Sequence, residues 1–96
     1  MDSADAWVVN GKNKSPAFVL ASRGYDVWLG NSRGSKFSRK HTVLDPDASS
    51  KDERRRFWDF SFQEMAEYDG QAFLDKIHEV SGMKKVNWIG HGMGAT

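Results

Sequence analysis

Lys85-Val86-Asn87-Trp88-Ile89 runs directly into Gly90-His91-Gly92-Met93-Gly94-Ala95-Thr96. The first five residues carry the β-branched and aromatic side chains of a short strand, and the closely spaced glycines mark a sharp turn after it. Two chemistries use a strand that breaks into such a turn. In the nucleophile elbow, Gly-x-Ser-x-Gly, small flanking residues let the chain bend tightly and lift the central side chain above the sheet. Here Gly90 and Gly94 stand at the flanks and Gly92 occupies the serine position. The alternative is the dinucleotide fingerprint Gly-x-Gly-x-x-(Gly/Ala), matched by Gly90, Gly92 and Ala95, which sets a pyrophosphate on a helix N-terminus. A third reading is a plain strand-to-helix turn with no ligand.

Working backwards, Ser61-Phe62-Gln63-Glu64 fits a capping box, with Ser bonding forward and Glu back at a helix entrance. Apolar residues then recur at Met65, Tyr68, Phe73, Ile77 and Val80, near the helical period. Gly70 interrupts that stripe at about 1 kcal/mol relative to Ala. Asp69 before it is a second candidate N-cap, which predicts a short helix leading into a longer one stopped by Gly82. Residues 30–60 read as a long connection with Arg33, Lys36, Arg39, Lys40 and His41 at its start and a mixed-charge run at 51–56, a solvated loop rather than a phosphate site. Further upstream, Tyr25-Asp26-Val27-Trp28-Leu29 reads as another strand. Before it, Ser15-Pro16 opens a helix that Gly24 stops. Residues 1–14 read as loop with a short apolar tether at Ala6-Trp7-Val8-Val9. Helices alternating with strands predict an α/β fold, a parallel sheet with crossover helices.

The 96 residues hold 14 Lys+Arg against 13 Asp+Glu, a net charge of +1, which argues against nucleic acid or an anionic membrane as partner. With no cysteine there is neither a disulfide framework nor a thiolate metal site. No apolar run reaches the ~18 residues of a membrane span, and Met1-Asp2-Ser3-Ala4-Asp5 does not read as a secretory signal. Hydrophobic residues make up 39%, with four Trp and six Phe, enough for a modest core but with the thin margin of a small domain.

Two blocks carry a more specific signal: Phe57-Trp58-Asp59-Phe60-Ser61-Phe62-Gln63-Glu64-Met65-Ala66-Glu67-Tyr68-Asp69, and Gly24-Tyr25-Asp26-Val27-Trp28-Leu29-Gly30-Asn31-Ser32-Arg33-Gly34. With Ser3-Ala4-Asp5-Ala6-Trp7-Val8 and Lys14-Ser15-Pro16-Ala17-Phe18, they resemble, in order and spacing, the acid lipases, the gastric and lysosomal family of α/β-hydrolases. The resemblance covers practically the whole chain and takes precedence over the dinucleotide reading; it departs at Gly70-Gln71, where the family often has Leu-Pro. It implies hydrolysis of lipid carboxylic esters, triacylglycerols and sterol esters, by a serine, a histidine and an acid, with two backbone N–H groups holding the oxyanion. It implies no cofactor and no metal, a lipid ester as substrate, and secretion or a lysosomal location; it leaves the oligomeric state open.

Carried over position by position, the resemblance puts Gly92 on the nucleophile and the Met93 N–H on one oxyanion donor, and makes His91 a structural elbow residue rather than the catalytic histidine. The other oxyanion donor is expected before Met1, and the acid and histidine after Thr96. Residues 1–96 then amount to one partial lipase domain. Its expected architecture is an incomplete α/β-hydrolase fold cut just after the elbow and lacking the strand that lies between residues 25–29 and 85–89. Without a hydroxyl at Gly92 the chain is expected to be inactive. His41 and His78 read as surface residues, and nothing sets a base beside Ser32, Ser81 or Thr96.

Overall fold

The structure, a computed structural model, describes residues 3–96. They gather into two units, the first running to Asp59 and the second spanning Phe60–Thr96.

In the first unit, Ser3 caps a turn of 3-10 helix at Ala4–Trp7, in a stretch the sequence marks as loop. The Ala4 N–H donates to the Asn31 side-chain carbonyl at 2.9 Å, and Lys36 pairs with Asp5 at 3.0 Å. Helix α1, Pro16–Ser22, starts where Ser15-Pro16 predicts and ends at Gly24, whose φ of +91° is open to glycine. Ser15 is the N-cap by backbone geometry only: its hydroxyl is fully buried and makes no hydrogen bond.

The connection over residues 30–60 is not structureless. Helix α2, Lys51–Phe57, forms inside it, with the Ser50 hydroxyl accepting from the Glu53 N–H. Asp52 and Glu53 lie in its first turn and Arg54, Arg55 and Arg56 in its last, each sign at the end the helix dipole favours. The mixed-charge run was therefore a helix written in charge order, and Ser50-x-x-Glu53 was its start signal. Phe57, only 7% exposed, ends the helix. Trp58 packs edge-on against it, with ring centres 4.9 Å apart, and the His41 ring lies 6.1 Å away. Arg39, which stacks over Trp58 at 5.4 Å, also pairs with Asp47 at 2.8 Å. The basic residues at 36 and 39 are thus neutralised within their own unit.

In the second unit the predicted capping box is present at Ser61 and Glu64, opening α3, Phe62–Glu64. No break occurs at Gly70. The chain widens into a π-helical segment, Met65–Gly70, and continues as α4, Gln71–Ser81. Asp69 is therefore no N-cap: Gly70 sits in ordinary right-handed helical geometry, and the extra residue is absorbed by the wider turn. That widening shifts the phase of the stripe. Met65 is buried and Phe73, Leu74 and Ile77 are half-buried, while Tyr68 and Val80 face out. Gly82, at φ +73°, stops α4 as expected.

The expected parallel strands are not formed: among the described residues there is no strand ladder. Residues 25–29 and 85–89 run outside any regular element, with Tyr25, Trp28, Leu29, Val86, Trp88 and Ile89 exposed. A strand exists only as a pair, because its N–H and C=O groups need a neighbour, and neither segment has one. The apolar side chains that would face a sheet layer consequently stay in solvent. No helix among the described residues is long and apolar enough to cross a membrane.

Candidate active site

The bend at residues 90–94 forms without a sheet beneath it. His91 is extended (φ −124°, ψ 133°) and caps a single turn of 3-10 helix, Gly92–Ala95. The reversal falls on Gly92, whose φ is +59°, a conformation that costs an L-residue strain. The Gly94 N–H donates to the His91 carbonyl and the Thr96 N–H to the Met93 carbonyl, both at 3.1 Å.

The two flanking glycines are not equivalent. A Cβ on Gly90 would stand 2.2 Å from the Gly94 carbonyl oxygen and 2.7 Å from the Ala95 nitrogen, so only glycine fits there. A Cβ on Gly94 would meet nothing within 4 Å. The Gly94 carbonyl also accepts from the Trp88 indole N–H at 2.9 Å, a bond that no motif in the sequence announces. At the apex, a side chain on Gly92 would enter open space. The bend thus leaves room for a side chain at its apex, where the sequence has glycine.

The other candidate residues make mostly local bonds. The His41 Nδ1 accepts from the Val43 and Leu44 N–H groups, each at 2.9 Å. His78 Nδ1 lies 3.0 Å from the Met83 carbonyl, and the Ser81 hydroxyl donates to the Ile77 carbonyl, both at the end of α4. Those residues close the helix. The exposed His91 acts through its backbone, with no side-chain bond capping the turn. Ser32 presents its carbonyl to the Ser35 hydroxyl, and Thr96 joins the turn through its N–H. Among the described residues, none of the three histidines is hydrogen-bonded to a hydroxyl.

Residues 5–96, including the whole bend, match the alpha/beta hydrolase fold. The chain belongs to the α/β-hydrolase family. The chain is 48% identical over 94 residues to the gastric triacylglycerol lipase of Mus musculus, covering 98% of the chain and 22% of that protein. It is 47% identical over all 96 residues to Lipase 1 of Drosophila melanogaster, 20% of that protein. Lipase member K of Homo sapiens is 47% identical over 94 residues, 98% of the chain and 22% of that protein. The chain spans about one fifth of the length of the curated relatives it matches. The resemblance carried by the blocks at residues 24–34 and 57–69 therefore extends along the whole segment. In an α/β-hydrolase the bend after a strand is where acyl chemistry is done, and this one keeps the turn with a glycine at its apex.

Proposed function

We propose that this chain is a segment of a lipase-type α/β-hydrolase whose elbow lacks its nucleophile, and that it does not turn over esters as written. The family reaction would be hydrolysis of lipid carboxylic esters, as in lipid degradation, and the relatives named as lipases support that class. One observation carries the inactivity: Gly92 stands at the apex with φ +59°. Acyl transfer needs an oxygen lone pair there to form the bond to the ester carbonyl carbon while the alcohol leaves, and a glycine Cα offers only C–H. Loss of a serine nucleophile alone costs about a million-fold in turnover. What remains is the Met93 backbone N–H, a vestigial oxyanion donor, within the turn formed by Gly90, His91 and Gly94. Residues 25–29 and 85–89 are, in this reading, sheet strands that become regular only when paired.

The test is covalent labelling of the chain with a fluorophosphonate, read by intact mass, beside ester turnover. No adduct and no turnover above background are expected. A stoichiometric adduct on any serine would overturn the reading.

A second reading, a non-catalytic module that binds lipid or a protein partner, is supported by the exposed Trp88, Ile89 and Met93 beside the bend. Saturable binding of a fatty acid would favour it, and a flat titration would remove it. The dinucleotide reading has no second observation behind it; NAD titration is expected to give no signal.

A further inference from the structure

We infer that Trp88 is a positioning residue for the elbow: its indole N–H, donated to the Gly94 carbonyl, holds the bend closed and so fixes the direction of the Met93 backbone N–H. The functional meaning of that N–H rests on the reading above; the geometry does not. The Gly94 carbonyl accepts from the indole at 2.9 Å and lies so close to Gly90 that a Cβ there would stand 2.2 Å from its oxygen. Closing the turn by backbone alone leaves two bonds of 3.1 Å in a single 3-10 turn, a geometry that is weak in isolation. The indole adds a third bond that spans the whole bend.

Trp88 is not there to fill a core, since it is 55% exposed. Its ring edge instead lies 4.0 Å from where a Gly70 Cβ would stand, at the end of the π-helical segment. The side chain therefore lies between Gly70 and the bend, with its polar atom turned to the bend. Phenylalanine would keep most of the apolar ring and lose only the donor, which makes the bond separable from the packing.

The experiment is NMR on the full 96-residue chain labelled with 15N. Trp28 provides the reference, because its indole donates to the Asp26 carboxylate at 3.0 Å and Asp26→Ala frees it. The Trp88 indole proton is expected to exchange with water about three- to tenfold more slowly than the freed Trp28 indole, the protection a single net hydrogen bond gives. Trp88→Phe should shift the amides of Met93, Gly94, Ala95 and Thr96 while those of Gln71–Ser81 stay in place. Gly90→Ala should reproduce that pattern and release the Trp88 indole. The inference falls if the Trp88 indole exchanges at the freed rate, or if Trp88→Phe leaves the Met93 and Gly94 amides unmoved. It falls too if that variant perturbs α4 equally, since the ring would then act by general packing. A fluorophosphonate adduct would sink the functional reading and leave these amide results standing, so the two failures are distinguishable.

Discussion

The first unit is drawn together over long stretches of chain, whereas the bonds that shape the helix and bend of the second are short-range. Ala4 reaches Asn31 and Asp5 reaches Lys36, 27 and 31 residues apart, and the His41 ring meets Phe57, itself packed on Trp58. In the second unit, Ser61 bonds to Glu64, Ser81 to Ile77 and Trp88 to Gly94, three, four and six residues apart. Closing a long loop costs more chain entropy than closing a short one, so the first unit depends on its few tertiary anchors. The second depends on whether each local motif is intact. Neither has a deep core: among the described residues the buried apolar side chains are Ala4, Ala17, Pro46, Phe57 and Met65.

The strongest break of this contrast is Phe57→Ala. It removes the one large aromatic that the first unit buries among the described residues and should cost about 3 kcal/mol, the lower end for such a truncation. Near-UV circular dichroism should lose its aromatic signal while the far-UV signal of α4 persists; parallel loss of both would mean that the units are not separately held. Next comes Gly92→Ser. The new side chain meets no atom, so the cost is the positive φ alone, about 1–2 kcal/mol, read as wider fraying of the amides of residues 92–96. The neighbouring His91 enters the turn through its backbone, and His41 and His78 bond to backbone groups near them, so fluorophosphonate labelling should remain absent. The smallest effect is expected for Lys36→Ala. Its pair with Asp5 is largely exposed, 66% and 49% for the two side chains, and should contribute on the order of 0.5 kcal/mol, falling further in high salt. A loss well above that would mark the long-range pair as an anchor in its own right.

The same contrast divides what could be read from the residues from what could not. The Ser61–Glu64 box, the α1 start at Ser15-Pro16 and the stops at Gly24 and Gly82 were legible because each is a bond or a backbone angle set within a few residues. Helix α2 was legible in principle, through Ser50-x-x-Glu53 and its charge order, but its polar face has no apolar stripe to announce it. The π-helical passage through Gly70 was not legible, since a propensity cost of about 1 kcal/mol does not say whether a helix will break or widen. Residues 25–29 and 85–89 carry strand-forming side chains without forming strands, because pairing is a property of a neighbour and not of the segment.

By itself the sequence determined the family, through blocks long enough to be specific, and it places a glycine at position 92 as a covalent fact. Only the tertiary structure decided that Gly90, and not Gly94, is sterically compelled, and that Trp88 closes the bend. The reason is physical. An approach of 2.2 Å to a carbonyl and a bond from a side chain six residues away depend on where the chain returns in space, and spacing alone does not encode that.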